Sequence, residues 1–188
     1  MVKKQIDPTQ FFQSVLQLKR VKRAGWISKV KVHNPESVAD HTYSMCAISM
    51  VLSDLLELDT ERVLKMVILH DLAESIIGDY MPGEVTKKRK LLEERNAMNS
   101  ILCSLPYDIR LNYKKIWQEY MSNKTDVARF VHGVDKLEMA LQARQYAKEG
   151  YSHKLLARFF NSAVEHLSID KPNFITELLN ALKPISII

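Results

Sequence analysis

The sequence predicts an all-α protein, and three observations support that prediction. Apolar residues recur at helical spacing along most of the chain. The alternation of apolar and polar residues that marks a half-buried strand is scarce. Only 5 Gly and 6 Pro interrupt the 188 residues, so few positions force the chain out of a helix. We therefore expect one domain over residues 1–188, with a core from about 8 to 150 and C-terminal helices over 151–188.

The first elements are a helix and a long connection. Phe11, Val15 and Leu18 repeat at helical spacing after Pro8, a residue that can open a helix. The periodicity is then lost from about Lys22 to Glu36, in a segment that contains glycine and proline. We predict a loop there, and a loop of that length inside a compact domain is more often functional than filler.

Capping residues mark where the next two helices begin. Ser37 followed by Asp40 resembles a capping box and predicts a helix that runs to about Glu57. Asp59 can cap the following helix, which we expect to end near Gly78.

Five more helices are predicted between breaks in the periodic pattern. They span about Lys88–Ser104, Asp108–Met121, Thr125–Lys148, His153–His166 and Pro172–Leu182. The longest carries an apolar ridge made of Val127, Val131, Val134, Leu137 and Leu141.

Composition and charge narrow the class of protein. Hydrophobic content of 46% and charged content of 26% are typical of a soluble globular protein and argue against disorder. A net charge of +5 is compatible with a nucleic-acid partner, but the basic residues are scattered except for "KKRK" at Lys87–Lys90. We interpret that run as a solvated helix start, so nucleic-acid binding is not expected. The positive charge can still attract small anionic substrates.

The cysteines and the lengths of the apolar runs bear on the cellular compartment of the protein. Cys46 and Cys103 have no CxxC spacing and lie in apolar helical contexts, so we expect buried free thiols in a reducing environment. No run approaches the roughly 18 apolar residues of a membrane span, and the first residues lack the apolar centre of a signal peptide. These features predict a cytoplasmic protein without a membrane partner.

One stretch raises a question of charge: "VILHDLAESIIGDYM", from Val67 to Met81. On a continuous helix, His70, Asp71 and Glu74 would fall within about a third of the circumference, with apolar residues around the rest. No Lys or Arg occurs between residues 65 and 87. Because an unpaired buried charge is costly, either a distant basic residue or a cation must neutralise these groups.

Two further residues complete a candidate metal set. His41 lies one turn inside the helix that begins near Ser37, and Asp135 borders the apolar ridge of the longest helix. Together with His70 and Asp71 they form two imidazoles and two carboxylates on three helices. This mixed nitrogen and oxygen set suits a divalent transition ion.

Each of these residues also has an ordinary structural interpretation. His41 alone could be a core histidine, and Asp135 alone a buried ion-pair partner of Lys136 or Arg144. His132, three residues before Asp135, is a rival ligand that lies off the ridge. The joint occurrence of the four residues is what favours a metal.

Three blocks of the sequence resemble a known family. They are "PESVADHTYSM", "LKMVILHDLAESIIGDYMPGEV" and "FVHGVDKLEMALQA". In residue types and spacing they resemble the HD-domain superfamily, and closely its branch of 5'-deoxynucleotidases. The likeness extends from about Phe11 to Gly150 and implies a compact HD-domain helical bundle.

The resemblance implies roles for individual residues. The metal would be held by His41, His70, Asp71 and Asp135, and Glu74 and Asp79 would be catalytic. The segment "LKRVKRAGWISKV" resembles the family's substrate loop, which points to Arg23 and Trp26 as nucleotide contacts. In bacterial members that pair is adjacent, whereas two residues separate it here. From the residues alone, Arg23 could equally be a solvated loop cation and Trp26 a core anchor.

The expected activity is removal of phosphate from deoxyribonucleoside 5'-monophosphates by a homodimer with one divalent ion, whether Mn, Co, Zn, Fe or Ni. Glu74 would orient or deprotonate the attacking water and Asp79 would assist the leaving group, and the two acids can exchange these roles. Two alternatives stay open. One is another HD-superfamily phosphohydrolase, either a phosphodiesterase or a dNTP triphosphohydrolase. The other is a helical adaptor that binds nucleic acid through "KKRK".

Overall fold

The computed structural model describes residues 7–81 and 83–167, and it confirms the all-α class. Within these residues there is no strand, and an isolated antiparallel bridge joins Lys22 to Ser37. The helices are α1 Thr9–Gln17, α2 Ala24–Lys29, α3 Val38–Leu55, α4 Thr60–His70, α5 Glu74–Ile77, α6 Lys87–Leu102, α7 Tyr107–Ser122, α8 Asp126–Lys148 and α9 His153–Leu167. The predicted helix Pro172–Leu182 lies outside the described residues.

The predicted caps begin α3 and α4. The Ser37 hydroxyl accepts a hydrogen bond from Asp40 N at 3.1 Å, and Asp40 accepts one from Ser37 N at 2.8 Å, which completes a capping box. The Asp59 carboxylate accepts from Arg62 N at 3.0 Å. Both helices therefore begin where local hydrogen bonding satisfies their first N–H groups.

The segment predicted as a loop over residues 22–36 contains a short helix, α2, so that prediction was wrong in part. Trp26 is the reason: its side chain is 1% exposed and anchors this turn of helix in an apolar cluster. Arg23 immediately precedes α2 and leaves the helical backbone region, with φ −65° and ψ 104°.

The helix predicted to reach Gly78 ends at His70 instead, which corrects a second expectation. Asp71 leaves the helical conformation with φ −106° and ψ 11°, and a turn leads into the four-residue α5. Side chains of adjacent helical residues diverge by 100°, whereas the break lets His70 and Asp71 face the same place.

Two apolar clusters position the helices. The larger one joins α3, α4, α6, α7 and α8, with Met45, Met66 and Val131 fully buried in it. The smaller one joins α2 to α8 and α9 around Trp26 and Tyr146. None of the described helices combines the length and apolar composition that crossing a bilayer would need.

Candidate metal centre

A cluster of polar side chains, most of them buried, lies where α3, α4 and α8 meet. His41 is fully buried in α3, and His70 is buried at the end of α4. Their nitrogen atoms and a carboxylate oxygen of Asp71 all lie within 4.8 Å of one another. The fold thus brings together three of the four predicted metal-binding residues, from two helices and the turn that follows one of them.

Asp135 of α8 lies beside these three residues. Its Oδ1 is 3.3 Å from His41 Nε2, and its Oδ2 accepts a hydrogen bond from Lys136 Nζ at 2.8 Å. One oxygen of Asp135 therefore faces His41, and the other pairs with the neighbouring lysine, as the ion-pair interpretation predicted.

The Nδ1 atom of each histidine has a hydrogen-bond partner. His41 Nδ1 lies 2.6 Å from Glu138 Oε2, and His70 Nδ1 lies 2.6 Å from the carbonyl oxygen of Val67. These contacts orient both rings so that Nε2 faces the carboxylates. Metal-binding histidines in proteins are held in this way.

Both Nε2 atoms are buried and have no hydrogen-bond partner among the described residues. His70 Nε2 lies 3.0 Å from Asp71 Oδ2, and His41 Nε2 lies 3.3 Å from Asp135 Oδ1, but neither pair has hydrogen-bonding geometry. Orphaned buried nitrogen atoms are rare and call for a partner. Nitrogen and carboxylate donors that converge on one place fit a divalent ion.

Arg23 supplies a positive charge to the same place. Its Nη1 donates to Asp71 Oδ2 at 3.2 Å, and its Nη2 lies 4.0 Å from Asp135 Oδ1. The question raised by the "VILHDLAESIIGDYM" stretch is thus answered in part by a distant basic residue. Burial lowers the pKa of Arg23, but Asp71 and Asp79 outweigh burial and raise it above its ordinary value.

The ionisation of the site follows from these contacts. Burial opposes ionisation of Asp71, but His70 and Arg23 outweigh burial and lower the pKa of that carboxyl. For His41, burial and Arg23 lower the pKa, whereas Asp135 and Glu138 raise it more strongly, to about 9. A divalent ion bound at His41 would compete with that proton, so its binding would release protons.

Glu74 begins α5 next to these residues. Glu74 is only 5% exposed, and its Oε2 has no hydrogen-bond partner among the described residues. Burial, followed by the charges of Asp71 and Asp79, raises the pKa of Glu74 well above its ordinary value. The site therefore favours the protonated form of this carboxyl more than water does.

Asp79 lies on the other side of α5. Gly78 has φ 79° and ψ 170°, a conformation that strains any residue with a Cβ atom, and it turns the chain back towards α2. Asp79 Oδ2 then accepts a hydrogen bond from Ala24 N at 2.8 Å. Burial raises the pKa of Asp79, although Arg23 partly offsets it. Two protonatable carboxyls thus lie close to Arg23.

Trp26 is placed in the core and not at the site. Its ring lies 4.2 Å from the Phe159 ring and 5.1 Å from the Tyr146 ring, measured between centroids. The indole Nε1 donates to Glu36 Oε1 at 2.8 Å. The predicted substrate contact of Trp26 finds no support in this arrangement, which favours the alternative of a core anchor.

His132, the rival ligand, packs against α7. Its ring stacks on Tyr120 with 4.1 Å between centroids and 12° between planes, and its Nε2 lies 3.1 Å from the Tyr120 carbonyl oxygen. Tyr120 itself is buried, with its ring 5.6 Å from that of His70. The sequence pattern gave no signal that α7 would border the site.

Two acidic residues next to His41 were missed by sequence reasoning. Glu138 is 2% exposed and contacts His41, and a donor atom of Glu36 lies within 4.8 Å of both. Burial and the charge of Glu138 raise the pKa of Glu36 to about 7. The signal for Glu138 was present: it lies four residues after Val134, on the apolar ridge, where a charged side chain is unexpected.

Two of the four basic residues at the start of α6 pair with acidic residues of the same helix. Arg89 Nε donates to Glu93 Oε1 at 2.8 Å, and Lys90 Nζ lies 3.6 Å from Glu94 Oε1. These pairs at i,i+4 spacing are typical of a solvated helix. They support the solvated-helix interpretation over a patch that follows a nucleic-acid backbone.

Comparison with known proteins gives matches over most of the chain. The family model described as "HD domain" matches residues 15–171. The human protein named 5'-deoxynucleotidase HDDC2 is 38% identical over 154 residues, which cover 81% of this chain and 74% of the human one. The Schizosaccharomyces pombe protein named 5'-deoxynucleotidase hdd1 is 37% identical over 161 residues, 83% of this chain and 80% of its own.

The fold also matches a solved structure. A crystal structure of a Pyrococcus horikoshii OT3 protein has a TM-score of 0.76 and 32% sequence identity. The match covers 92% of this chain and 96% of the archaeal chain. The arrangement of helices described above is therefore shared across nearly the whole archaeal protein.

Proposed function

The chain belongs to the HD-domain family, and we propose that it is a metal-dependent 5'-deoxynucleotidase that hydrolyses deoxyribonucleoside 5'-monophosphates to deoxynucleosides and phosphate. The observation that carries this proposal is the pair of buried Nε2 atoms on His41 and His70, which face carboxylates and have no hydrogen-bond partner in the described chain. The curated relatives named 5'-deoxynucleotidase support the substrate class.

We assign the ion to His41, His70, Asp71 and Asp135, which provide two nitrogen and two carboxylate ligands. One divalent ion, whether Mn, Co, Zn, Fe or Ni, suits this set. When bound, such an ion lowers the pKa of water and polarises a phosphoryl oxygen.

Arg23 is assigned to the substrate phosphate. Its guanidinium lies 3.2 Å from Asp71, at the edge of the metal-binding residues, and its side chain is largely buried. A guanidinium offers two parallel N–H groups that match two oxygens of a phosphate. Arg23 would thus orient the ester and stabilise negative charge that develops during phosphoryl transfer.

Glu74 and Asp79 are assigned to proton transfer. Glu74 takes a proton from the water whose oxygen bonds to phosphorus, and Asp79 gives a proton to the 5' oxygen as its bond to phosphorus breaks. Their positions on either side of α5, together with pKa values raised by burial, support these roles.

The proposed activity is tested by orthophosphate release from a panel of deoxyribo- and ribonucleoside monophosphates. The protein is stripped of metal with a chelator and reloaded with one divalent ion at a time. Release that depends on the ion and favours the deoxy substrates is expected. Release of triphosphate from dNTPs, or cleavage of diesters with no activity on monophosphates, would instead support the other HD-superfamily phosphohydrolases.

The division of roles between the two acids is tested with a second leaving group. The ester 4-nitrophenyl phosphate releases a phenolate that needs little protonation. If Asp79 protonates the leaving group, Asp79→Asn loses much less activity on this ester than on a deoxynucleotide, whereas Glu74→Gln loses as much on both. The reverse pattern would exchange the two assignments.

We also propose that the protein is a homodimer in the cytoplasm. The family resemblance and the exposed apolar side chains Tyr43, Val51 and Leu55 on α3 support the dimer. Burial of the two thiols was predicted wrongly, since Cys46 is half-buried and Cys103 is exposed. Both are free, which supports a reducing compartment. Light scattering of the purified chain should give twice the chain mass, and imaging of a tagged chain should show cytoplasmic signal.

A further inference from the structure

The two histidines of the site are oriented by different means. The Nδ1 partner of His70 is the carbonyl oxygen of Val67, three residues earlier in the same helix. The Nδ1 partner of His41 is the carboxylate of Glu138, 97 residues away on α8. The orientation of His70 is therefore a property of α4, whereas that of His41 depends on one side chain of another helix.

Helix α8 approaches both nitrogen atoms of the His41 ring. Asp135 and Glu138 are three residues apart and therefore lie on the same face of α8. Asp135 Oδ1 is 3.3 Å from Nε2, and Glu138 Oε2 is 2.6 Å from Nδ1. One helix thus provides an oxygen on the metal-facing side of the imidazole and another on the opposite side.

The hydrogen bond between His41 Nδ1 and Glu138 selects one tautomer of the neutral imidazole. A neutral imidazole carries one N–H group, and an ionised carboxylate can only accept a hydrogen bond. When Glu138 accepts from Nδ1, the lone pair of His41 is left on Nε2, the atom that faces Asp135. We propose that Glu138 is a positioning residue, which holds His41 in the orientation and tautomer that bind a divalent ion.

The location of Glu138 supports a specific role. It is 2% exposed and occupies the apolar ridge of α8, where an aliphatic side chain would fill the same space at lower cost. Glu36, which also lies next to His41, already accepts a hydrogen bond from Trp26 Nε1 at 2.8 Å. His41 is thus the basic group that accounts for a buried carboxylate at position 138.

This inference rests on the proposed function, since it requires His41 to bind the ion, and its test separates the two. Mn²⁺ affinity is measured by calorimetry on the full chain for the wild type, Glu138→Gln, Glu138→Leu and His41→Gln. Ile101→Val, a fully buried change in α6, is the control for loss of stability without a change at the site.

We expect Glu138→Leu to weaken Mn²⁺ binding by about 10–100-fold, because the acceptor for Nδ1 is lost. Glu138→Gln keeps an acceptor oxygen and should recover most of the affinity, to within about tenfold of the wild type. Ile101→Val should leave the affinity unchanged even at a similar loss of thermal stability.

Three results would overturn the inference. Wild-type affinity in Glu138→Leu, with affinity lost in His41→Gln, would leave the metal site intact and remove the role of Glu138. Unchanged affinity in His41→Gln would remove the proposed site together with the inference. A second bound Mn²⁺ in the wild type that is absent from Glu138→Gln would make Glu138 a ligand and not a positioning residue.

Discussion

The site has two sides that are built in different ways. On the α4–α5 side, His70, Asp71, Glu74 and Asp79 all fall within ten consecutive residues of the chain. On the α3–α8 side, His41 meets Asp135 and Glu138, which come almost a hundred residues later. We call these the local side and the distant side.

The difference shows which part of the site depends on the packing of distant helices. The His70 and Asp71 part of the local side needs only α4 and the turn after it, because His70 is oriented by a carbonyl of its own helix. The distant side forms only when α3 and α8 pack against each other, because its groups hold one another in place. An ion that binds both sides therefore links local structure to the tertiary fold.

The largest effect should come from removing one ligand on each side. Asp71→Ala and Asp135→Ala should each weaken Mn²⁺ binding by at least about 100-fold and reduce phosphate release to background, since each removes one of the charged ligands that we propose. Metal content after dialysis and phosphate release are the measurements. If Asp135→Ala kept its metal and activity, the ion would be held by the local side alone, and the comparison would fail.

The next effect separates catalysis from metal binding on the local side. Glu74→Gln should lower kcat by about 10²–10⁴-fold, because the glutamine side chain has nearly the shape of glutamate but cannot accept the proton. Its Mn²⁺ affinity should stay close to that of the wild type. Calorimetry and steady-state kinetics on one preparation measure both, and a joint loss of metal and activity would make Glu74 a ligand.

Arg23, which reaches carboxylates of both sides, should give two changes of opposite sign. Arg23→Met should lower kcat/KM by about 10–100-fold through loss of a charge-assisted contact to phosphate. It should also tighten Mn²⁺ binding several-fold, because the guanidinium and the ion are drawn to the same carboxylates. Arg62→Met, a change at a surface arginine paired with Glu119, is the matched control and should alter neither quantity.

Trp26 should affect stability and not the reaction. Trp26→Phe keeps much of the packing against Phe159 but removes the hydrogen bond to the half-buried Glu36 carboxyl. The free energy of unfolding should therefore fall by about 1–3 kcal/mol. KM and Mn²⁺ affinity should not change. A raised KM at unchanged thermal stability would restore Trp26 as a substrate contact.

The smallest effect concerns the metal-free protein. Burial and the neighbouring Asp71 and Asp79 raise the pKa of Glu74 above its ordinary value of 4.5, so the native state disfavours the ionised form. The wild type therefore loses stability as pH rises from 4.5 towards the raised pKa. Glu74→Gln lacks this loss and should have the higher Tm at pH 7, by about 2–4 °C for each kcal/mol of stability gained. The two proteins should differ less at pH 4, and an equal difference at both pH values would contradict the prediction.

The local side was the more predictable of the two. Helical spacing and the cap at Asp59 predicted the beginning of α4 and the grouping of His70, Asp71 and Glu74. The break after His70 was not predicted. The run around it is largely apolar and contains no Gly or Pro, so the sequence has no signal for a turn there. Gly78 was the nearest visible stop signal, and the prediction placed the end of the helix there.

The distant side could be predicted only as a set of residue types. The pairing of His41 with Asp135 was inferred from joint occurrence, since periodicity shows which face a residue occupies and not which helix it meets. Glu138 illustrates the limit: its position on an apolar ridge was visible, but its partner depends on how α3 packs against α8. The position of Arg23 over the carboxylates likewise depends on tertiary packing, since α2 joins a cluster with residues of α8 and α9 far along the chain.

The most direct test of the account is to locate the ion. Crystals of the Mn²⁺-loaded protein, measured at a wavelength where manganese scatters anomalously, give the position of the metal without reference to activity. We predict one strong peak within bonding distance of His41 Nε2, His70 Nε2 and carboxylate oxygens of Asp71 and Asp135. A peak among Glu36, His41 Nδ1 and Glu138, with none between the two histidines, would contradict the assignment of the site.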